Sequence, residues 1–306
     1  MWTLSVCIPI YNSDVRTLVN SLCTQIEAVS EAQIDIILID DASDPAYKVL
    51  HQFTASFVRL IHLPLNIGRA QIRNLFLQHT NAQYLLFIDG DSTIQDPHFI
   101  EKYCAYLAAQ QIEVLVGASV YQSDKPALQN RLRWKYSTQR ESLNFKQRSG
   151  AEYAGFKTNN FVIRRDVLER FPFDERLTGY GHEDTLLGLQ LTANGVRVAH
   201  IDNPVWNLKL DTNTEFLSKT DSALKNLLWL EKMYPALPLH DTIHLLRLHV
   251  ILKKNLFLKY LMDLLLLAMP ILTPILKSGF GPLFVFDAYR LLRIYQLDKH
   301  APHDFH

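Results

Sequence analysis

Cysteine is scarce in this 306-residue chain; the three present are Cys7, Cys23 and Cys104. Their number is odd, no Cys-x-x-Cys spacing occurs, and each sits inside an apolar strand or helix pattern. This argues against a disulfide framework and for buried reduced thiols, not metal ligands or nucleophiles. An excess of either charge is missing too. Lys plus Arg and Asp plus Glu both number 31, so no global field marks nucleic acid as a partner. Met1-Trp2-Thr3-Leu4 lacks a basic stretch followed by a long apolar one, so no signal peptide is expected and a cytoplasmic location is. With 48% hydrophobic and 20% charged residues, the composition is that of a globular protein with material for one large core or two domains.

What is present is an alternation of apolar strands and amphipathic helices. Tyr84 to Ile88 reads as a strand buried on both faces, Leu4 to Ile10 and Ile34 to Ile39 as compact apolar strands, and Val58 to Leu63 as a weaker one. Leu18, Leu22, Ile26 and Val29 recur at helical spacing between the first two. Asp96 as cap and Pro97 at the first helical position predict a further helix with Ile100, Tyr103 and Leu107 facing inward. Ile112 to Val120, Thr158 to Ile163 and Val196 to Ile201 are further strand candidates. The alternation predicts an α/β fold with a mostly parallel central sheet flanked by helices, ligands lying beyond the strands' C-terminal ends.

Those ends carry the polar residues. The fourth strand closes on Asp89-Gly90-Asp91, two carboxylates one residue apart, with a glycine that lets something large approach. Hard oxygens so placed suit one divalent cation; for an isolated Asp-Gly-Asp an acidic turn after a core strand is the commoner explanation. Asp41, the Asn66 to Arg73 segment and Asp89/Asp91 are expected to converge on one crevice. Further on, Thr178-Gly179-Tyr180-Gly181-His182 forms an open loop before Glu183 and Asp184 in the first turn of a helix. Acids there favour the helix macrodipole, and a carboxylate on a rigid helix end can also serve as a general base. Asp184 is the residue assigned that role, with Glu183 and His182 orienting substrate or base. His200 is a weak third metal ligand, its type being more often a satisfied core or edge histidine. The basic, aromatic run Arg131 to Arg148 reads as a solvated helix face that could also hold a phosphate-bearing partner.

Taken together, Pro9-Ile10-Tyr11-Asn12, Asp40-Asp41-Ala42-Ser43, Asn66-Ile67-Gly68-Arg69-Ala70 with Arg73-Asn74, Asp89-Gly90-Asp91 and Gly181-His182-Glu183-Asp184 resemble family 2 glycosyltransferases in order and rough spacing. The match runs from Thr3 to about Asp202. The resemblance implies an inverting, nucleotide-sugar-dependent transferase on the GT-A fold, using a divalent cation, Mn2+ or Mg2+. It places Pro9, Tyr11 and Asn12 around the nucleotide, Asp41 at the base, Arg73 near the nucleotide, and Asn66, Gly68, Arg69 and Gly90 in the same nucleotide-sugar pocket. Asp89 and Asp91 resemble the metal and diphosphate motif, and Asp184 the base. His182 departs from the family, where glycine or an aromatic residue is common. The donor expected from the family is a UDP-linked hexose or N-acetylhexosamine, its identity and the acceptor's set by loops near 121–154 and 178–182.

The last hundred residues differ in character. Residues 1–212 read as the catalytic domain, with 1–95 as its nucleotide-binding half and 96–212 as its acceptor half; 213–306 read as a helical C-terminal region. Leu256 to Leu276 is nearly all apolar but carries Lys259, Asp263, Pro270 and Pro274, a poor spanning helix where about 20 clean residues suffice. Helices lying in the membrane interface over 253–292, with Lys253, Lys254, Lys259 and Lys277 near anionic head groups, are expected alongside the alternative of a helical subdomain packing on protein. The acceptor is then a glycan or lipid-linked intermediate of cell-surface polysaccharide synthesis, at the inner face of the plasma membrane. Three other classes compete. A nucleotidyltransferase needs a glycine-rich basic first loop that is missing here. A signalling receiver needs its acidic pair after the first strand. A non-catalytic membrane-associated scaffold leaves Asp89, Asp91 and Asp184 unexplained.

Overall fold

Runs of apolar residues with no polar side to their pattern can be satisfied only between two layers, and that is how they are used. A computed structural model describes residues 2–149, 156–207 and 209–300. The strands are β1 (Trp2–Ile10), β2 (Ala32–Asp40), β3 (Val58–His62), β4 (Tyr84–Ile88), β5 (Ser92–Thr93), β6 (Val114–Tyr121), β7 (Asn160–Arg164) and β8 (Val198–Asn207). The helices up to β8 are α1 (Arg16–Glu27), α2 (Pro45–Lys48), α3 (Arg69–Leu75), α4 (Phe99–Ala109), α5 (Arg131–Tyr136), α6 (Phe145–Ser149), α7 (Arg165–Arg170) and α8 (Glu183–Ala193). Beyond it come α9 (Asn213–Met233), α10 (Leu239–Thr242), α11 (His244–Lys254), α12 (Leu256–Leu265), α13 (Met269–Lys277) and α14 (Leu283–Lys299).

The strands form one sheet in the order β3-β2-β1-β4-β7-β6-β8-β5. β1, β2, β3 and β4 are parallel, β7 runs antiparallel to both β4 and β6, and β6 and β8 are parallel again. The sheet is therefore mixed, with its parallel half carrying the first four motifs. Side chains alternate strictly between two cores. On one face Leu4, Val6, Ile8, Leu86 and Ile88 pack under α1 and α4; on the other Cys7, Ile37, Leu85 and Phe87 pack under α3, α7 and α8. Cys7 and Cys104 are buried and reduced.

The chain divides into two compact units. The first comprises Met1–Gln122, Glu141–Thr178 and Glu183–Lys209, the second Ser123–Arg140, Gly179–His182 and Leu210–His306. The second unit is helical. Its core joins Leu132, Phe216, Leu276, Phe286 and Tyr289, with a satellite of Met262, Leu292 and Tyr295. Its longest helix, α9, opens on a capping box in which Thr212 and Glu215 satisfy each other's backbone N–H groups. The helix expected to start at Asp96-Pro97 starts at Phe99 instead. Asp96 Oδ1 accepts from the His98 backbone N–H at 2.8 Å, so the aspartate closes a turn ahead of the helix.

Candidate active site

In the first unit the strand order reverses between β1 and β4, the position at which open α/β sheets bind ligands. Three turns meet there and are tied to one another. The Asn12 backbone N–H donates to Ser43 Oγ (2.9 Å), the Asp44 N–H to Asn12 Oδ1 (2.8 Å), and Ser13 Oγ to the Gly90 carbonyl (3.0 Å). Asn12 and Ala42 hold positive φ, 48° and 59°, which non-glycine residues adopt at a cost that such cross-links can sustain. Tyr11, 58% exposed, follows the last residue of β1.

Asp41 is buried, and both its oxygens are occupied: Oδ1 accepts from Ile67 N–H (2.7 Å), Oδ2 from Gly68 N–H (3.0 Å). Asn66 Nδ2 returns a bond to the Asp41 carbonyl. Asp41, expected at the nucleobase, clamps the loop that leads into α3. Gly68, with φ 86°, provides the turn. Its neighbour Asp40, fully buried, takes His62 Nδ1 at 2.9 Å.

α3 then presents two arginines to the acids. Arg73 is 1% exposed and donates to Asp89 Oδ1 at 2.7 Å; Arg69 donates Nε to Glu183 Oε1 at 2.5 Å and reaches Asp89 at 3.7 Å. The end of β4 and the start of α8 are thus bridged by guanidinium groups. Burial alone would raise the Glu183 carboxyl, but Arg69 and then Arg73 hold it down to about 2. Burial conversely lowers Arg73, with Asp89 opposing the effect. Asp184, one residue on, is half-buried and lies 3.4 Å from Lys157 Nζ. Asp91 is exposed beyond Gly90. A β-carbon on Gly90 would lie 3.0 Å from the Pro9 carbonyl, so the turn between the two aspartates needs its glycine for space.

The donor set fits a hard cation. Asp89, bonded to Arg73, and the exposed Asp91 supply hard carboxylate oxygens of the kind that suit Mg2+ or Mn2+. Among the described residues no three His, Cys, Asp or Glu side chains are gathered for a metal. His200, expected as a weak third ligand, is not brought to these acids. It is buried in β8 with Nδ1 3.2 Å from the Arg148 guanidinium, and burial, then Arg148, depress it to about 4. Arg148 also donates to the Gly117 and Ile201 carbonyls. That part of the basic run thus serves the β6–β8 seam.

His182 falls in the 179–182 turn of the second unit with φ 72°, between Gly181 (φ 99°) and Glu183. That turn is held by α9: Tyr180 N–H donates to Ser222 Oγ (2.9 Å) and Asn226 Nδ2 to the Gly181 carbonyl (3.0 Å). Of the loop expected near 121–154, residues 150–154 lie outside the described residues. Lys157 went unnoticed in the sequence because a lone lysine 27 positions from Asp184 carries no pattern. A cavity of about 800 Å³ opens at the opposite, N-terminal end of β1 and β2, lined by Thr3, Gln33, Asp35, Arg59 and Thr80; no motif residue reaches it.

The amylovoran biosynthesis glycosyltransferase AmsB of Erwinia amylovora is 24% identical over 263 residues, covering 78% of this chain and 80% of its own. TarS from S. aureus superposes with a TM-score of 0.51 at 19% identity over 74% of this chain, which spans 40% of that longer protein. A TarS 1–349 structure in complex with UDP-GlcNAc gives 0.52 at 14% identity, covering 98% of this chain and 92% of that one. These likenesses show the GT-A fold. Residues 5–171 match the family described as Glycosyl transferase family 2, more than half of the chain and all four strand-end motifs of the parallel half, and the protein is a member of that glycosyltransferase family.

Proposed function

We propose that this enzyme transfers a sugar from a UDP-linked donor to a hydroxyl of a glycan or lipid-linked acceptor, with inversion, in cell-surface polysaccharide synthesis at the inner face of the plasma membrane. The observation that carries the reading is the bridge from Asp89 through Arg73 and Arg69 to Glu183, which joins the strand-end acids to the helix bearing Asp184. The naming of AmsB as an amylovoran biosynthesis glycosyltransferase supports the polysaccharide setting, and the UDP-GlcNAc bound in TarS 1–349 the donor class.

Each residue has a task its surroundings suit. Tyr11, with Pro9 and Asn12 at the end of β1, presents a ring for the nucleobase to stack on. Arg69 and Arg73 fix Asp89 so that Gly90 and Asp91 meet the diphosphate in one geometry. A divalent cation on Asp91, with Asp89 near it, would supply positive charge where the departing diphosphate gains negative charge. Asp184 accepts the proton of the acceptor hydroxyl, whose oxygen then attacks the anomeric carbon opposite the diphosphate. Lys157, 3.4 Å away, orients that carboxylate until the acceptor arrives.

The test is UDP release from a panel of UDP-sugars with and without manganese, comparing wild type with Asp184→Asn. The variant is expected to bind UDP as wild type does and to lose turnover by about 10²–10⁴-fold. Wild-type turnover in the variant removes Asp184 from the role. Pyrophosphate in place of UDP as product overturns sugar transfer altogether.

A further inference from the structure

The segment from Leu256 to Phe284 is finished on one side and bare on the other. Its inner side belongs to the core of the second unit: Met262, Leu266, Met269 and Leu272 pack with Leu292 and Tyr295 of α14, and Leu276 is fully buried. Asp263 is consumed by Tyr295 Oη (3.0 Å) and Lys299 Nζ (2.7 Å). The outer side is apolar and uncovered. Phe257, Tyr260, Leu264, Leu267, Ile271 and Phe284 are each more than 60% exposed. So many exposed apolar side chains along one stretch of chain mark an interaction surface.

We infer that this face lies in the plane of an anionic bilayer, immersed to the level of the head groups. Three observations select that occupant. First, Leu256–Lys277 is 22 residues long with a mean hydropathy of 1.8, enough in length and composition to cross a bilayer. Yet it breaks at a 3-10 turn over Leu266–Ala268 and is packed lengthwise on α14, so it is already committed to lying along protein on one side. An in-plane helix needs just such a one-sided partner. Second, Lys254, Lys259 and Lys277 border the apolar face and make no ion pair among the described residues, while its one acid is neutralised internally. Unpaired cations beside an apolar strip complement anionic head groups. Third, a second copy of the chain docked through the same face would set that positive rim against its own like charge. The inference uses no residue of the candidate active site and stands or falls apart from the sugar-transfer reading.

Co-sedimentation of the full chain with vesicles of phosphatidylcholine, with and without about 30% phosphatidylglycerol, tests it. Binding at least about tenfold stronger to the anionic vesicles is expected, weakening as salt is raised. Phe257→Ser/Leu264→Ser/Ile271→Ser alters exposed positions only; it should keep the thermal midpoint of wild type and lose the vesicles. Nitroxide labels on Phe257→Cys and Ile271→Cys should report the same shallow depth. Failure of wild type to sediment with either vesicle overturns the inference, as does wild-type vesicle binding by the triple variant. A wild-type dimer that the triple variant abolishes, with no vesicle binding by either, assigns the face to self-association instead. Labels at clearly different depths overturn the in-plane orientation, and equal binding with and without phosphatidylglycerol overturns the role of the lysines.

Discussion

Glu183 and Asp184 are adjacent carboxylates in very different surroundings. Glu183 is 8% exposed and bonded to Arg69, whereas Asp184 is half-buried and faces a single lysine. A buried acid locked to an arginine is a poor proton acceptor and a good strut, so the pair divides into a positioning residue and a base. Glu183→Gln should lower stability by about 2 to 3 kcal/mol. It strips Arg69 of its partner, and the cost is moderated because Arg69 is partly exposed and can turn to water. The pH dependence separates this from mere loss of packing. The Glu183 carboxyl sits at about 2 in the fold against an ordinary 4.5, so its stabilisation is present above pH 4.5 and is lost as pH falls toward 2. Urea midpoints measured between those limits should fall less steeply in Glu183→Gln than in wild type; parallel profiles would show that the pairing with Arg69 does not matter to stability. None of this pairing was legible in the sequence. Arg69 and Glu183 lie 114 positions apart, and their meeting depends on where α3 and α8 land against the same sheet face.

At the scale of elements, much more could be read. β1, β2 and β4 were recognisable because a largely buried strand shows little polar alternation, β3 only as a weaker apolar run at the sheet edge, and each begins and ends within two residues of its apolar run. The reversal of β7 was not, since a short apolar run states that a strand exists and not which way it points. The length of β8 was hidden for a similar reason. It continues to Asn207 through Asp202, Asn203 and Pro204, past a register shift against β6, where composition reads as loop. The turns between elements were legible as polar punctuation, but their physical demands differ. Gly68 has open space around its α-carbon and is needed for its positive φ; Gly90 is needed because its neighbours are close. Gly90→Ala therefore forces a β-carbon to 3.0 Å from the Pro9 carbonyl and 3.1 Å from Val15 Cγ1, which must move β1 and β4 apart at their C-terminal ends. A loss of about 1 to 2 kcal/mol is expected from such overpacking, together with weaker UDP binding, because the displaced turn carries Asp89 and Asp91. Calorimetry with UDP reads both effects, and unchanged affinity would show that the turn's spacing is not what the nucleotide senses.

For the molecule as a whole, the division read from composition, catalytic to residue 212 and helical beyond, places one boundary, yet the second unit draws on three separate stretches of chain. Residues 123–140 supply α5, whose Leu132 is buried among Phe216, Leu276 and Phe286, while Arg133 lies 5.0 Å over the Phe216 ring. The Leu132 N–H donates to Asn213 Oδ1, and Asn130 reaches the Leu210 and Asp211 carbonyls. Residues 179–182 supply the turn pinned by Ser222 and Asn226 of α9. A chain ending at Lys209 would thus keep two segments whose partners are gone. Leu132 would face water at a cost of about 2 kcal/mol. The 179–182 turn, with positive φ at Gly179, Gly181 and His182, would lose the bonds that sustain that conformation. Such a truncation is expected to be poorly soluble. Where it can be recovered, it should bind UDP through the motifs of β1 to β4 yet release less UDP from a sugar donor, because the turn that runs directly into Glu183 and Asp184 has lost its bonds to Ser222 and Asn226. Thermal midpoint, UDP affinity and turnover measured on the same preparation distinguish the outcomes. A truncated chain with wild-type midpoint and wild-type turnover would mean that 123–140 and 179–182 hold their conformation without α9.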